Sequence, residues 1–240
     1  MKRKLKLQIL SQPDDTTCGP TCLHAVYNYF GDGIPLHNVV REVDTIRTGG
    51  TLGIMLAVHA LRRGYKATIY SYNIRLFDPT WFNLSSDEIC AKLKAQAKVK
   101  KREKLQVATH AYIDFLEQGG KLRMRDLTSR LLRKYLNRGI PILTGLSSTY
   151  LYQTKREHGP AMTDDDIRGL PSGHFVILRG YDRVKRSIYI ADPLESNPYS
   201  TDRQYKLSID RVISAILLGI ITDDANLIII EPRKSAAQDR

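Results

Sequence analysis

Apolar and polar positions follow two periods along this chain, and the changes between them divide it into helices and strands. The run Thr21-Cys22-Leu23-His24-Ala25-Val26-Tyr27-Asn28-Tyr29-Phe30 carries no Pro or Gly and ends at Gly31, so a helix opening at Cys18 is predicted there. Residues 35–45 are also predicted helical, with Leu36, Val39, Val40 and Val43 on one face. A third helix, 52–63, places Leu52, Met55, Leu56, Val58 and Leu61 at helical spacing; Thr51 is its candidate cap and Gly64 its stop. Residues 65–72 then alternate around Ala67, Ile69 and Ser71, as a strand does. Ser85-Ser86-Asp87-Glu88 is a helix-start signature, and the helical pattern runs on to Gln118, where Gly119-Gly120 closes it. Residues 126–137 read as a helix with Leu127, Leu131 and Leu132 inward and Arg130, Arg133 and Lys134 outward. Arg138-Gly139-Ile140-Pro141 leads from it into a strand at 142–146. Residues 147–172 are read as a long loop, either one that borders the cleft as a lid or substrate selector or an ordinary disordered surface loop. Two strand-like runs follow, 173–182 and 187–191, joined by a turn at 182–186, and they predict an antiparallel hairpin. Ser208 caps a helix to Leu218, residues 226–230 are a buried strand, and 233–240 are predicted to be a disordered tail.

Composition narrows the function classes. An apolar share of 42% fits a globular protein, and 240 residues suffice for one well-buried domain or two small ones. The longest apolar stretch, 212–221, contains a serine and is too short to span a bilayer. Met1-Lys2-Arg3-Lys4 has the charge of a signal peptide, but no continuous apolar region follows, so none is expected. Three cysteines, an odd number, argue against a disulfide framework and for a reducing, cytoplasmic setting. The net charge of +12 concentrates at the N-terminus, in 92–104 and in 121–138. These runs lack interleaved aromatics or a base-reading motif, so they are read as solvated helix faces and no nucleic-acid partner is expected. An anionic partner or acidic peptide substrate remains compatible with the charge. Neither a phosphate loop nor a Gly-x-Gly-x-x-Gly fingerprint occurs, and no cofactor is expected. Asp164-Asp165-Asp166 are consecutive and rarely converge on one ion, so no metal site is assigned.

The chemistry converges on four residues. Cys18 opens the first helix, where the macrodipole and unpaired N–H groups favour a thiolate. Gln12 stands six residues ahead, and its amide, folded back, is a donor for an oxyanion. In the predicted hairpin, His174 begins the first strand and Asp192 ends the second, which sets imidazole beside carboxylate. One ring nitrogen can then take a thiol proton while the carboxylate holds the other. Cys22 lies one turn after Cys18, not at redox-pair spacing, and is read as core; Cys90 has no evident role, and His59 is read as packing or surface. Taken singly, Cys18 is also compatible with a small buried helix residue, Asp192 with an Asp-Pro turn and His174 with a satisfied core histidine.

Together, Gln-x5-Cys-Gly-Pro, Gly-His-Phe-Val-Ile-Leu and Ile-Ala-Asp-Pro resemble the double-glycine leader peptidases that mature bacteriocins, within the papain-like cysteine peptidase superfamily. The resemblance covers residues 12–64 and about 138–193. It implies an α+β papain-like fold: a helical part led by the Cys18 helix, packed on an antiparallel sheet carrying His174 and Asp192. The chain would then be one domain, 1–232, with a helical insertion at about 85–120. The resemblance further implies Cys18 as nucleophile, His174 as general base and acid, Asp192 as orienting carboxylate and Gln12 as oxyanion donor, acting on a peptide or amide bond. Thr17 stands where the family usually has Asp, and the family's usual fusion to a membrane exporter is not seen; both bear on the substrate rather than on the catalytic apparatus. Two alternatives share these residues. One passes the acyl group from the thioester to an amine, as phytochelatin synthases do; the other is a peptide-binding module without turnover.

Overall fold

The computed structural model describes residues 2–47 and 49–233. In chain order the elements are β1 (Lys2–Lys4), α1 (Cys18–Tyr29), α2 (Leu36–Glu42), α3 (Gly53–Arg62), β2 (Lys66–Ser71), α4 (Ser86–Val99), α5 (Glu103–Glu117), β3 (Lys121–Arg123), α6 (Ser129–Asn137), β4 (Ile142–Ser147), α7 (Ser148–Tyr152), β5 (Glu157–His158), β6 (Thr163–Asp164), β7 (Gly173–Asp182), β8 (Ser187–Ala191), β9 (Gln204–Ser208), α8 (Ile209–Leu218) and β10 (Asn226–Glu231). One sheet runs β3-β2-β10-β4-β7-β8-β9, with β1 added onto β7 and β5–β6 forming a separate ribbon. Its neighbours are antiparallel except β2 and β3, which are parallel.

The continuous apolar run in β10 explains how the sheet is covered. Successive strand residues point to opposite faces. Ile228 and Ile230 enter the core beneath α1 to α5, while Leu227 and Ile229 enter a second core beneath α6 and α8. A strand buried on both faces has no polar alternation to show. The expected α+β architecture is present, with the helical part led by α1 on one face. The structure adds a second helical layer, α6 and α8, on the other.

Several expectations are corrected in detail. The helical pattern from Ser85 to Gln118 is two helices, α4 and α5, broken at Lys100-Lys101-Arg102. Three successive cations repel one another there, and the Gln106 side-chain amide closes the turn by donating to the Ala97 and Lys100 carbonyls. The basic run is therefore divided, with Lys92, Lys94 and Lys98 on α4, Lys100, Lys101 and Arg102 in the turn, and Lys104 on α5. The predicted cap at Thr51 is not formed: its hydroxyl donates to the Asp44 carbonyl at 2.7 Å, and Leu52 occupies the cap position of α3. The second helix ends at Glu42 because Val43 turns extended. β1, β3 and β9 were not anticipated; they are short, polar and, for β3 and β9, at the sheet's edges. The Ser85–Glu88 reciprocal cap and the Ser208 cap form as the sequence predicts. Residues 234–240 of the expected tail lie outside the described residues. Among the described residues no helix is long and apolar enough to cross a membrane.

Candidate active site

The segment leading to Cys18 is a turn held by its own side chains. The Asp14 carboxylate accepts from the Thr16 N–H and hydroxyl at 2.8 and 2.7 Å, which holds its carboxyl below the usual range. The Thr17 hydroxyl donates to the Asp14 carbonyl, and its oxygen accepts from the Asp14 N–H. Thr17, the departure noted in the sequence, thus braces the turn through its short hydroxyl. Cys18 follows as the first residue of α1, half-buried, with its N–H among the helix-end donors that have no intrahelical partner. Gly19 lets the helix approach closely: a Cβ there would stand 2.7 Å from Thr51 Cγ2 and 3.3 Å from Phe175.

β7 and β8 form the predicted hairpin, with Asp182 paired to Ser187 near the turn and Ile177 to Ala191 near the other end. Beyond that end, His174 Nε2 lies 2.9 Å from Asp192 Oδ1, so Nδ1 is the ring nitrogen available to Cys18, the histidine's other interaction partner. Asp192 is fully buried, and its carboxylate is saturated. Oδ1 also accepts from the Leu194 N–H at 3.0 Å, and Oδ2 accepts from the hydroxyls of Tyr152 and Tyr205 at 2.6 and 2.5 Å. Burial alone would raise the Asp192 pKa, but His174 and the two hydroxyls outweigh it and hold the carboxyl below its ordinary range. Burial likewise disfavours the imidazolium, yet Asp192 and Cys18 lift the His174 pKa to about 10. The tyrosines are pushed up by burial and by Asp192, so they stay protonated donors.

Gln12 is placed at the same end of the sheet. Its backbone N–H donates to the Pro193 carbonyl at 3.0 Å, tying the segment before the cysteine to the segment after Asp192. Its side-chain amide donates to the Asp14 carbonyl at 2.9 Å, while Oε1 is buried and, among the described residues, unpartnered. An amide nitrogen carries two hydrogens, so one donor is left. Cys22 is fully buried, its sulfur 3.3 Å from the Phe175 carbonyl, and burial pushes its thiol well up, as a core residue requires. His59, a buried residue of α3, packs against the Tyr27 hydroxyl at 2.8 Å and against Glu42.

Tyr152 and Tyr205 were missed as partners of Asp192. Residues 147–172 are not the unbroken loop expected, since α7 and the β5–β6 ribbon lie within them; Tyr152 is the last residue of α7 and Tyr205 lies on the edge strand β9, and neither carries a local signal of its partner. Within 147–172, Asp165 accepts from the Ile167 and Arg168 N–H groups and from the Arg168 side chain, so this one aspartate of the acidic triplet caps its own turn. Cys18 opens into a 310 Å³ cavity whose lining includes Asp15, Phe175, Lys104 and Asp224. A larger cavity of 730 Å³, lined by Lys6, His24, Asn28 and Arg203 among others, contains none of the predicted site residues.

The model of the Peptidase_C39 like family matches residues 4–211. No curated protein matches the chain. Among solved structures, a protein of Bacillus anthracis described as a C39-like peptidase is 15% identical, with 98% of this chain and 100% of that one covered and a TM-score of 0.48. A double-glycine motif protease from an AMS/PCAT transporter, solved with its leader peptide, is 13% identical over 97% of this chain and 99% of that one, at a TM-score of 0.45. The cysteine protease xylellain from Xylella fastidiosa is 14% identical over 97% of this chain and 86% of that one, also at 0.45.

Proposed function

The chain belongs to the C39-like peptidase family, and from that premise we propose that it hydrolyses a peptide or amide bond with Cys18 as nucleophile, His174 as general base and acid, and Asp192 as the orienting carboxylate. The observation that carries this reading is the buried His174–Asp192 pair, 2.9 Å apart, interacting with a cysteine at a helix start. The Cys18 thiolate attacks the substrate carbonyl carbon, and the Gln12 amide and Cys18 N–H stabilise the oxyanion. The C–N bond then breaks, and the His174 imidazolium gives its proton to the leaving amine. Water attacks the thioester, His174 takes a proton from it, and the acid product leaves with the cysteine restored. Asp192 keeps the imidazole in one tautomer and orientation, and the hydroxyls of Tyr152 and Tyr205 fix Asp192 in turn. The helical hairpin within 85–120 is on this reading an insertion in a single domain of residues 1–232. The three unpaired thiols support a reducing, cytoplasmic setting.

The test is turnover of a mixed peptide set, read by mass spectrometry, together with the alkylation rate of Cys18 at about pH 6. Cys18→Ala should abolish turnover, and Gln12→Ala should slow it by an amount worth about 3 to 4 kcal/mol of barrier. His174→Ala should slow both turnover and low-pH alkylation by at least about tenfold. Alkylation that is the same with and without His174 would sink the assignment. Products unchanged by an added amine acceptor would separate hydrolysis from acyl transfer.

A further inference from the structure

The cavity beside Cys18 has a feature that the chemistry above does not use. Its exposed rim is formed by Asp15, Thr16 and Gly49, while Leu52, Phe175 and Asp224 are buried and form its floor and walls. Asp224 precedes β10 and is 8% exposed. One carboxyl oxygen meets the Gly53 N–H at the start of α3, at a long 3.4 Å; among the described residues its side chain accepts no other hydrogen bond. The fold makes room for this residue. A Cβ on Gly145 of β4 would stand 2.5 Å from the Asp224 carbonyl oxygen and 2.6 Å from its Cβ. The groups around it are Lys104 and the Tyr112 hydroxyl from α5, Asp223 from its own turn, and Cys18 and Asp15 across the cavity. Lys104 is engaged elsewhere: its ammonium donates to the Thr222 carbonyl at 2.7 Å and lies 3.4 Å from Asp223. Among the described residues the carboxyl on the cavity floor therefore makes no ion pair of its own, although the Lys104 charge in the same lining partly offsets the effect of burial on it.

We propose that Asp224 is the floor of a cation-binding subsite beside the nucleophile, which selects peptides carrying a lysine or arginine side chain next to the scissile bond. The walls suit the methylene stem of such a side chain, since Ile46, Leu52 and Phe175 line the cavity. A substrate backbone passing Cys18 occupies the rim, and only a group extending from it reaches the buried floor. Burial raises the Asp224 pKa to about 7, so a bound ammonium or guanidinium would favour the ionised carboxylate near neutral pH. The proposal rests on the peptidase reading for its substrate, though not for its chemistry of recognition.

Cys18 itself can report on the subsite without turnover. Aminoethyl, methyl and sulfonatoethyl methanethiosulfonate share one leaving group and differ in charge, and the mass of the Cys18 peptide gives each rate. In the native chain the cationic reagent should be favoured over the neutral one, and the anionic reagent disfavoured. The cation-to-neutral ratio should fall about five- to tenfold in Asp224→Asn, and less than about twofold in Asp15→Asn, whose carboxylate is exposed and screened. Within the native chain the ratio should also rise as pH passes through about 7, where Asp224 ionises. His174, lifted to about 10, holds its charge constant across that range. A ratio unchanged in Asp224→Asn overturns the proposal. Should that variant not fold, a ratio flat from about pH 5.5 to about pH 8.5 in the native chain does the same. Hydrolysis is scored separately on unmodified peptides. No turnover with a charge-dependent ratio would overturn the peptidase reading and leave the subsite, and turnover with a charge-blind ratio would do the reverse.

Discussion

Two buried aspartates show how partners, and not burial alone, decide the state of a carboxyl. Asp192 is fully buried and accepts four hydrogen bonds, from His174, Leu194, Tyr152 and Tyr205; its pKa is held low. Asp224 has one long contact to Gly53, and burial lifts it to about 7. The consequences for stability have opposite signs. The contribution of Asp192 is present above its ordinary carboxyl range and is lost as pH falls through its depressed value. That of His174 is present below 6.5 and is lost as pH rises through about 10. Asp224 binds its proton more tightly folded than unfolded, so it is harmless below 3.8 and increasingly destabilising as pH climbs toward 7. A rise from 3.8 to about 7 corresponds to at most roughly 4 kcal/mol, and the Oδ1 of an asparagine can still accept from the Gly53 N–H. Asp224→Asn should therefore be more stable than the native chain by about 2 to 3 kcal/mol at about pH 8, and equally stable near pH 4. Urea unfolding at the two pH values checks this. Equal stability at both would mean that the carboxyl is not buried in the charged state.

At the scale of elements, the site depends on how closely α1 can approach α3 and β7. Cys18 and His174 belong to different elements, and Gly19 sets the distance between them. An alanine methyl there would meet Thr51 at 2.7 Å and Leu56 at 3.2 Å, all within a packed core. Gly19→Ala should be destabilising by about 1 to 3 kcal/mol, despite alanine's better helix propensity. It should also slow Cys18 alkylation in the folded protein, because the start of α1 must shift away from His174. Thermal unfolding and alkylation rate, measured on one sample, test both effects; a stabilised variant would remove the close-packing argument. Two other elements reach the site from a distance in sequence. α7 carries Tyr152 to Asp192, and α5 brings Lys104 to the cavity rim beside Asp223.

Across the whole molecule, the site joins segments from both halves of the chain. The Gln12 N–H to the Pro193 carbonyl is one such tie, and Leu5 N–H to the Arg179 carbonyl is another. Charge is also a property of this scale. The chain carries +12, yet Asp15 and Asp224 line the cavity. The positive surface field repels a cation at long range, and the Asp224 carboxylate attracts it only within the cavity. Salt screens the first more than the second, since the Debye length is about 10 Å at 0.1 M and a buried charge is screened less. Labelling of Cys18 by the aminoethyl reagent should therefore speed up about two- to threefold between about 20 and about 300 mM salt. Labelling by the methyl reagent should not change. Rates that fall with salt would show that distant surface charge does not govern approach.

Much of this was legible in the sequence because its signals are local. Helix starts at Cys18, Ser85 and Ser208, the stop at Gly64, and the hairpin that sets His174 beside Asp192 all follow from nearest-neighbour chemistry and from the two side-chain periods. The break between α4 and α5 was less legible, because a charged turn lacks the Gly or Pro that announces one. Only the tertiary structure joined Tyr152 and Tyr205 to Asp192, or set Asp224 on the floor of the Cys18 cavity. Those contacts cross between sheet, loop and helix at separations where no periodicity survives. A carboxyl's partners and burial are fixed by packing, so the sequence determined which groups were available and the fold determined which of them carry charge.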